Sequence, residues 1–389
     1  MRIGLFSDTY VPQVNGVATT VHHLAEEFER MGHEVYVFCP RVHRRHRDKP
    51  NVIRFPGIIF PFERQHRIAF GLPARARRVL PRLEIVHSHT EFSLGTLALW
   101  AAKVFRVPHI HTYHTHYVIY RHYLPPPFRP SRRLTEALVA AYCNRCDAVT
   151  VESRAMEEEL RRYGVRVPIY RYPSGVDIRQ YAGPLEHDMR RELGLPAGAK
   201  VCLYVGRIAK EKNLSFLLSA FAEAAKRRDD LYLVVVGGGP FFRAFTEERD
   251  RLGLSERVIM AGYVRGKRLI DYYRGADLFV FASKTETLGL VVIEAMAAGL
   301  PVVCLGEMGV TEVMKPGDTG IFAPEDPVGF AEAMLKVLED RALRERLREG
   351  ALRRARELST EAAAKRTLEV YEEVRAARTS RGRDHRTRT

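Results

Sequence analysis

The stretch SKTETLGLVVIEAMAAGLP, residues 283–301, decides the fold prediction because it joins a strand pattern to a helix pattern. The strand pattern is LFVFAS at 278–283, and the residues Leu288-Gly289-Leu290 mark the predicted turn into the helix. A helix that begins at such a turn presents unpaired backbone N–H groups and a positive dipole end at the edge of a sheet. The stretch therefore predicts a site for an anionic group such as a phosphate.

Two glutamates, Glu286 and Glu294, stand eight positions apart in this mostly apolar stretch. Eight helical residues span roughly 12 Å, a length that suits the two hydroxyl-bearing ends of a sugar nucleotide with its diphosphate between them. A charge next to Ile293 and Ala295 is costly to bury without a partner, which favours a ligand-binding role. The alternative is that Glu286 only complements the helix dipole and Glu294 lies on a solvated face.

Strand and helix patterns alternate along the whole chain of 389 residues. The strand patterns are continuous apolar runs, which are typical of parallel strands covered on both faces. They occupy 3–7, 34–40, 85–89, 108–114 and 148–153 in the first half, and 201–207, 232–239, 258–264, 278–283, 301–306 and 320–322 in the second. Two such series predict an α/β protein with two doubly wound domains, at 1–174 and 175–359.

The end of the sequence has a different character from the two alternating series. Helical patterns follow at 327–338, 341–357 and 360–378. Residues 379–389 are basic and polar, so we expect them to form a disordered tail.

Charged residues collect where strands end, which is where ligands of such sheets bind. Arg207 ends one strand pattern and Lys212 follows five residues later, so the pair could neutralise a diphosphate. The alternative is a surface pairing of these cations with Glu211. Gly238 is the centre of a triple glycine, which alone is a weak signal. No GxGxxG follows the first strand of either half and no GxxxxGK[ST] is present, which disfavours dinucleotide and P-loop sites.

A histidine-rich segment, PHIHTYHTHY, raises the possibility of a metal site. No acidic or cysteine cluster accompanies it at metal-ligand spacing, and the chain has no Asp-x-Asp pair, so we expect no metal. Its member His114 is a candidate for ligand binding because it lies just past an apolar strand, on the ligand side of the predicted sheet.

The formal net charge of +15 is concentrated in two regions. Residues 41–82 hold twelve Lys/Arg and two Asp/Glu, which gives +10, and residues 375–389 hold six Arg and one Asp, which gives +5. A local basic face indicates an anionic partner such as a lipid surface, a nucleic acid or an acidic substrate. The alternative is an ordinary solvated surface in an arginine-rich protein.

The five scattered cysteines are an odd number, which argues against a disulfide framework and favours a reducing cytoplasm. The N-terminal MRIGLFSDTY begins with an apolar strand pattern rather than a signal peptide. We therefore expect a cytoplasmic protein.

Three motifs together resemble the retaining glycosyltransferases of family 4, which have the two-domain GT-B fold. The motifs are the Glu-x7-Glu stretch followed by AMAAGLPVV, the sequence GRIAKEKN, and the N-terminal loop PQVNGV. The resemblance covers residues 1–375. It implies two Rossmann-like domains that face a central cleft, with the helix at 360–378 crossing back to the first domain.

The resemblance also implies roles for particular residues. Glu286 would bind donor-sugar hydroxyls, Glu294 would hold the ribose, and His114 would contact the donor sugar near its 6-hydroxyl and the reacting carbon. The implied catalytic residues are His114, Glu286, Arg207 and Lys212, of which the last two would stabilise the departing diphosphate without a metal or cofactor. The implied donor-binding residues are Gly16, Arg207, Lys212, Gly238, Val264, Glu286, Gly289, Leu290 and Glu294.

Within the family, HTYHTHYVIYRHY at 111–123 and SDTYVPQVNGVATT resemble the bacterial 1,2-diacylglycerol 3-glucosyltransferases. This implies retaining transfer of glucose from UDP-glucose to diacylglycerol on the inner face of the cell membrane, with no nucleic-acid partner. The basic region would dock on anionic lipid. The arginines predicted for the membrane and acceptor face are Arg44, Arg45, Arg47, Arg64, Arg67, Arg75, Arg77 and Arg78.

Two alternatives remain open at this point. One is a family 4 transferase with another donor or acceptor, such as a mannosyltransferase acting on phosphatidylinositol or on a soluble sugar. The other is a non-catalytic protein that binds nucleic acid or another polyanion through the basic face.

Overall fold

Two units of the α/β class make up the protein. The computed structural model describes residues 1–13, 15–42, 48–59, 67–121, 126 and 129–386. Unit 1 comprises Met1–Ser174 with Thr360–Thr389, and unit 2 comprises Gly175–Ser359. The chain therefore leaves unit 1, forms unit 2 completely, and then returns to unit 1.

Unit 1 is built on a seven-stranded parallel sheet, accompanied by a two-stranded antiparallel hairpin. Its strands are β1 (Arg2–Phe6), β2 (Glu34–Pro40), β3 (Val52–Phe55), β4 (Gly57–Ile59), β5 (Arg67–Ala69), β6 (Ile85–Ser88), β7 (His109–Thr112), β8 (Ala148–Val151) and β9 (Ile169–Arg171). The large sheet has the order β3-β2-β1-β6-β7-β8-β9, and β4 pairs with β5 in the hairpin. The strand order reverses beside β1, so the ends of β1 and β6 lie at the point where such sheets bind ligands.

The helices of unit 1 cover the large sheet. They are α1 (Gly16–Arg30), α2 (Ala74–Val79), α3 (Ser93–Val104), α4 (Tyr117–Tyr120), α5 (Arg132–Cys143), α6 (Arg154–Arg162) and, after unit 2, the last helix of the chain, α15 (Thr360–Arg386). The side chain of Asn15 caps α1 by accepting from the N–H of Ala18 at 2.9 Å. Val21, Leu24 and Phe28 of this helix are buried in the core, and Val17 packs against the same cluster.

The helix α15 completes the core of unit 1. Tyr371 is fully buried and packs on Phe28 of α1, with ring centroids 5.7 Å apart. Its hydroxyl also lies 2.6 Å from Nδ1 of His87 on β6. At the start of α15, the hydroxyl of Thr360 donates to Glu27 of α1 over 2.7 Å. These contacts tie residues from the end of the chain to the first helix.

Unit 2 has a six-stranded parallel sheet with helices on both faces. Its strands are β10 (Lys200–Val205), β11 (Leu231–Val236), β12 (Val258–Gly262), β13 (Leu278–Phe281), β14 (Val302–Cys304) and β15 (Gly320–Phe322). Its helices are α7 (Met189–Glu192), α8 (Leu214–Ala225), α9 (Phe242–Arg251), α10 (Gly266–Gly275), α11 (Leu290–Ala297), α12 (Val310–Val313), α13 (Pro327–Glu339) and α14 (Arg341–Glu357). The strand order β12-β11-β10-β13-β14-β15 places β10 beside β13.

The predicted α/β class with parallel sheets is confirmed, but two regions differ from expectation. The basic stretch 41–82 contains β3, the β4–β5 hairpin and α2, which the prolines had obscured. The helix α15 runs to Arg386, so residues 379–386 are helical where a disordered tail was predicted. The helix continues into 379–386 from residues 375–378, whose alanines and arginines are good helix formers.

Candidate functional site

The predicted turn between β13 and α11 is present in unit 2. Gly289 has a φ of 87°, a left-handed conformation that favours glycine, and α11 begins at the next residue, Leu290. Leu288 is buried beneath the turn. The loop after β14 packs closely on it, since the N–H of Gly309 donates to the carbonyl of Glu286 over 2.9 Å. The first turn of α11 therefore has a fixed position at the end of the sheet.

Lys212 and Glu286 form an ion pair across two neighbouring strand ends. Nζ of Lys212 lies 2.5 Å from Oε1 of Glu286, and both side chains are partly buried. Lys212 ends a short 3-10 helix after β10, whereas Glu286 follows β13, which pairs with β10 in parallel. The sheet thus brings together two residues that lie 74 positions apart in the sequence. The predicted alternative pairing partner, Glu211, lies on the same 3-10 helix.

Arg207 lies in the same loop after β10 and is partly exposed. Its carbonyl accepts from the hydroxyl of Tyr204 over 3.1 Å, which holds the backbone of the loop. Arg207 and Lys212 therefore both follow the strand that neighbours β13. They are the cations expected near the start of α11.

Glu294 lies in the second turn of α11 and has one buried partner. The hydroxyl of Tyr273 on α10 donates to Oε2 of Glu294 over 2.7 Å. Burial raises the pKa of Glu294 to about 7, although the bond from Tyr273 acts in the opposite direction. Glu294 is thus not a solvated surface charge, as one alternative had it, but a partly buried carboxyl group whose charge changes near neutral pH.

The triple glycine after β11 is explained by close approach of backbones. A Cβ on Gly237 would lie 1.9 Å from the carbonyl oxygen of Gly206, and one on Gly239 would lie 2.3 Å from that of Ile208. The middle glycine, Gly238, would instead meet the exposed ring of Tyr263. Two of the three glycines are therefore required by the fold, and Gly238 is the one left open to a ligand role.

Two further predicted donor-binding residues occupy element ends. Val264 follows β12 and is buried, so it can offer an apolar surface only at its edge. Gly16 is the first residue of α1 in unit 1 and is exposed. Its backbone N–H belongs to the first turn of a fifteen-residue helix, where such groups have no partner within the helix.

In unit 1, His114 belongs to a chain of buried polar side chains. Its Nε2 lies 3.0 Å from Nδ1 of His89, and its Nδ1 lies 3.4 Å from Oε1 of Glu152. The hydroxyl of Ser174 also donates to Oε1 of Glu152. An ionised Glu152 requires a proton on Nδ1 of a neutral His114, and its Nε2 then accepts from His89. The carboxylate thereby orders the protons of both rings.

Two more histidine–carboxylate pairs flank this chain. His111 on β7 lies 3.0 Å from Oε1 of Glu91, whose other oxygen accepts from the hydroxyl of Tyr117. His116 pairs with Glu159 of α6. Three of the four histidines in PHIHTYHTHY therefore have carboxylate partners, whereas Nε2 of His109 lies 2.8 Å from the hydroxyl oxygen of Ser88.

Burial keeps three other histidines of this network neutral. It lowers the pKa of His87 and of His89 well below the usual range, and it lowers the pKa of His109 to about 3. The neighbouring histidines act in the same direction. Nε2 of His89 has no hydrogen-bond partner among the residues that the structure describes. The network thus combines these three neutral imidazoles with three histidines that have carboxylate partners.

Known families match both units of the chain. Residues 14–180 match the family described as Glycosyltransferase Family 4, and residues 186–354 match Glycosyl transferases group 1. An alpha-monoglucosyldiacylglycerol synthase of Streptococcus pneumoniae is 36% identical over 315 residues, which are 79% of this chain and 71% of that protein. The protein belongs to glycosyltransferase family 4.

A second relative supports this assignment for the transferase, and a solved structure supports its fold. An alpha-monoglucosyldiacylglycerol synthase of Acholeplasma laidlawii is 33% identical over 338 residues, covering 83% of this chain and 84% of that protein. Among solved structures, Anabaena HepE in complex with UDP and glucose has a TM-score of 0.76 at 19% identity, covering 96% of this chain and 100% of that one. The predicted GT-B fold is thus confirmed, as is the resemblance to family 4.

Sequence reasoning missed three residues that touch the predicted site residues of the transferase. Glu152 follows β8, so the same strand-end rule that selected His114 could have found it. His89 follows β6 and could have been found in the same way. Tyr273 gives no comparable signal, because a tyrosine in an amphipathic helix is ordinarily a core residue.

The predicted basic face is described only in part. Arg44, Arg45, Arg47 and Arg64 lie outside the described residues. Arg67 is partly buried on β5, whereas Arg75, Arg77 and Arg78 are exposed on α2. The face thus retains three exposed arginines among its described members.

The hairpin β4–β5 exposes a set of large apolar side chains, which we call the hairpin face. Ile58 is 58% exposed and Phe70 is 54% exposed. The hairpin face comprises Ile58, its cross-strand partner Ile68, and Phe70, whereas the exposed Ile59 projects from the opposite side of the hairpin. Exposed apolar residues next to each other on one element mark a contact surface more often than scattered ones do.

The described residues of the transferase contain neither a metal-binding cluster nor a membrane-spanning helix. No group of three or more His, Cys, Asp or Glu side chains in the described ranges is arranged to hold a metal ion. Across the described part of the chain, no helix combines the length and the apolar character that crossing a bilayer requires.

Proposed function

We propose that this family 4 transferase moves glucose from UDP-glucose to 1,2-diacylglycerol with retention of configuration, giving α-glucosyl diacylglycerol. The observation that carries the proposal is the arrangement of Lys212, Glu286 and Glu294 around the start of α11. It occurs in a chain similar to two proteins named as monoglucosyldiacylglycerol synthases. A positive helix end with a cation and two carboxyl groups suits a diphosphate flanked by two hydroxyl-bearing sugars.

In this proposal unit 2 binds the donor. The backbone N–H groups of Gly289 and Leu290 face the diphosphate, and Arg207 and Lys212 supply positive charge. Glu286 accepts hydrogen bonds from the glucose hydroxyls and Glu294 accepts from the ribose. Lys212 and Glu286 pair with each other in this structure. In the proposed complex Lys212 binds the diphosphate and Glu286 binds the sugar, so the two members of the pair contact different parts of the donor.

In the proposed transfer step, the protein acts mainly by stabilising the leaving group. Arg207 and Lys212, together with helix N-termini, stabilise charge that develops on the departing phosphate, which requires no metal. The C–O bond between glucose and phosphate breaks as the acceptor oxygen attacks the same face of the sugar, and the phosphate oxygen takes the acceptor proton. In this scheme His114 acts on the donor sugar near its 6-hydroxyl, and Gly16 offers its N–H to the phosphate.

The acceptor is proposed to enter the protein from the inner face of an anionic cell membrane. The exposed arginines Arg75, Arg77 and Arg78 provide attraction of about 1 kcal/mol each near such a surface. The hairpin face provides apolar side chains that can enter the lipid headgroup region. A protein held in this way binds the membrane peripherally.

The first test is to incubate the protein with diacylglycerol in anionic vesicles and a panel of nucleotide sugars, and to analyse the lipids by mass spectrometry. We expect hexosyl-diacylglycerol from UDP-glucose, and NMR of the product then gives the anomer. Mannosyl lipid from GDP-mannose would show that the donor is GDP-mannose rather than UDP-glucose. Donor hydrolysis without a lipid product would show that diacylglycerol is not the acceptor. No turnover of any donor would favour the polyanion-binding alternative.

Membrane binding is tested separately by sedimentation with vesicles. We expect binding to anionic vesicles that weakens in high salt, because surface charges are screened. Replacing Arg75, Arg77 and Arg78 together by alanine should weaken binding about a hundredfold, at roughly 1 kcal/mol per residue. A matched control replaces three exposed arginines of unit 2, Arg243, Arg251 and Arg346. Equal losses in the two variants, or binding insensitive to salt, would argue against an electrostatic contact through α2.

A further inference from the structure

The side chain of Tyr273 is held rigidly where it meets Glu294. Tyr273 is fully buried on α10, and its ring packs on Phe279 of β13 with centroids 5.7 Å apart. Its hydroxyl donates to Oε2 of Glu294 over 2.7 Å. A buried tyrosine in this position has little freedom to turn away, so the bond fixes the direction of the carboxyl group.

The two oxygens of the Glu294 carboxyl group differ in their hydrogen bonding. Among the described residues, Tyr273 supplies the hydrogen bond to this carboxyl group, and it goes to Oε2. Glu294 is partly exposed, so its other oxygen, Oε1, remains able to accept a bond from outside the protein. One oxygen is therefore used by the protein and one is available to a ligand.

We propose that Tyr273 is a positioning residue that sets how strongly the ribose hydroxyls of the donor are recognised. By occupying Oε2 it directs Oε1 toward a ribose hydroxyl, and by donating a hydrogen bond it favours the ionised form of the carboxyl group. The inference rests on the proposed function, because it takes the donor to be a nucleotide sugar whose ribose meets Glu294.

The electrostatic surroundings of Glu294 contain few charges. Two tyrosines lie near Glu294: Tyr273 on α10, and Tyr181 on the 3-10 helix Ile178–Tyr181. Tyr181 also lies near Asp177. Burial first, and then the charge of Glu294, raises the pKa of both tyrosines, so they stay neutral donors. Arg348 of α14 packs near Gly299, beyond the far end of α11. The neutral hydroxyl of Tyr273 is thus the group that favours the carboxylate form.

The direction of the pH effect follows from these contacts. A ribose hydroxyl donates to a carboxylate better than to a carboxylic acid. Burial raises the pKa of Glu294 to about 7, so nucleotide affinity should rise as the pH increases through 7. Removing the hydroxyl of Tyr273 takes away the bond that lowers this pKa. The rise in affinity should then move to higher pH.

The neighbouring Tyr272 provides a matched control on the same helix. Tyr272 is also fully buried, and its hydroxyl donates to a carboxylate, Oε2 of Glu192, over 3.0 Å. Glu192 lies on α7 and is not one of the predicted site residues. Tyr272→Phe therefore removes the same atom, in the same kind of bond, away from Glu294.

The experiment is a calorimetric titration of the full chain with UDP, and with GDP in parallel, between pH 6 and pH 9. Wild type, Tyr273→Phe and Tyr272→Phe are compared, and each is also titrated with the 2′,3′-dideoxy form of the nucleotide that binds. We expect Tyr273→Phe to weaken binding about tenfold at pH 7.5, the effect of losing one charge-assisted hydrogen bond. The loss should shrink toward pH 9 and vanish with the dideoxy nucleotide.

Each other result has a definite meaning. Tyr273→Phe binding like wild type at every pH would overturn the inference while leaving the proposed function intact. An equal loss with the dideoxy nucleotide, or the same loss in Tyr272→Phe, would show that the hydroxyl acts only through packing and would also overturn it. Wild type that binds neither UDP nor GDP would overturn the proposed function, and the inference with it.

Discussion

Half of the candidate site residues of unit 2 come from one short stretch, whereas those of unit 1 come from separate strand ends. Glu286 and Glu294 both lie between β13 and the middle of α11. In unit 1, His89, His114 and Glu152 follow β6, β7 and β8 in turn. The first arrangement is set by one local turn, and the second depends on the register of three strands.

The two regions also treat charge differently. Unit 2 holds an ion pair, Lys212 with Glu286, and a carboxyl group whose pKa burial raises to about 7. Unit 1 holds histidines whose pKa burial lowers, so they remain neutral. In the proposed function the charges near the start of α11 bind a charged donor, whereas His87, His89 and His109 can offer only neutral hydrogen-bonding groups. Three predictions test this difference between the two units.

The largest effect is expected for Glu286→Ala. The change removes the acceptor proposed for the glucose hydroxyls and leaves Lys212 without its carboxylate partner. We expect kcat/KM for glucosyl transfer to fall about 100- to 1,000-fold, as is usual for the loss of one oriented electrostatic contact in a transition state. Initial rates with UDP-glucose and diacylglycerol measure the loss.

The control for this variant is Glu325→Ala. Glu325 also pairs with a lysine, Lys284, over 2.6 Å, but it is exposed. It should change kcat/KM little, because exposed pairs contribute little. A Glu286→Ala protein that is folded by circular dichroism and turns over normally would remove Glu286 from the site.

A smaller effect is expected for Glu152→Gln in unit 1. An amide keeps the size of the side chain but no longer requires a proton on Nδ1 of His114, so the ring loses its single tautomer. We expect kcat to fall about 10- to 100-fold, as for other losses of a group that orients a catalytic side chain. The KM for the donor should change little. Steady-state kinetics measure both constants, and 15N NMR of labelled histidine reports the tautomer.

The matched control is Glu159→Gln, another buried carboxylate that pairs with a histidine, His116. It should leave both kcat and the signals of His114 unchanged. If Glu152→Gln alters neither the tautomer of His114 nor kcat, the chain from Glu152 to His89 has only a structural role.

The smallest effect is an opposite response of the two units to acid. Unfolded histidines bind protons below about pH 6.5, whereas the folded His87, His89 and His109 do not, so these groups favour unfolding as the pH falls through 6.5. Glu294 binds its proton more tightly in the folded state, so its contribution to stability is full below pH 4.5 and is lost as the pH rises through 7.

Two measurements check these signs. Hydrogen exchange between pH 7 and pH 5 should show β6 and β7 losing more protection than β13 and α11. Glu294→Gln should raise the free energy of unfolding of unit 2 by about 1–3 kcal/mol at pH 8, by relieving a buried charge, and by much less at pH 4.5. A variant that is equally stabilised at both pH values would show that the charge of Glu294 is not the cause.

The sequence was sufficient to predict the α/β class, the turn at Gly289 and the placement of Arg207 and Lys212 after a strand of the second unit. Each of these depends on local pattern and on the rule that ligands bind at the carboxyl ends of strands. The pairing of Lys212 with Glu286 was not predicted. It depends on β10 lying next to β13, and the order of strands in a sheet is not written in any one segment.

Other features depend on packing that sequence patterns do not report. The partner of Glu294 is a tyrosine on another helix, and its selection requires the angle at which α10 meets α11. The hairpin β4–β5 and α2 lie in a stretch rich in proline and arginine, where turn and charge signals hide short elements. The length of α15 was underestimated because a basic composition was taken as a sign of disorder.

The return of the chain to unit 1 has a consequence for synthesis in the cell. Tyr371 belongs to the buried core of unit 1 and Thr360 bonds to Glu27, so unit 1 lacks part of its core until these residues have left the ribosome. Unit 2 is already fully synthesised by then. We therefore expect unit 2 to fold first, and the nascent unit 1 to depend on chaperones until α15 has been synthesised.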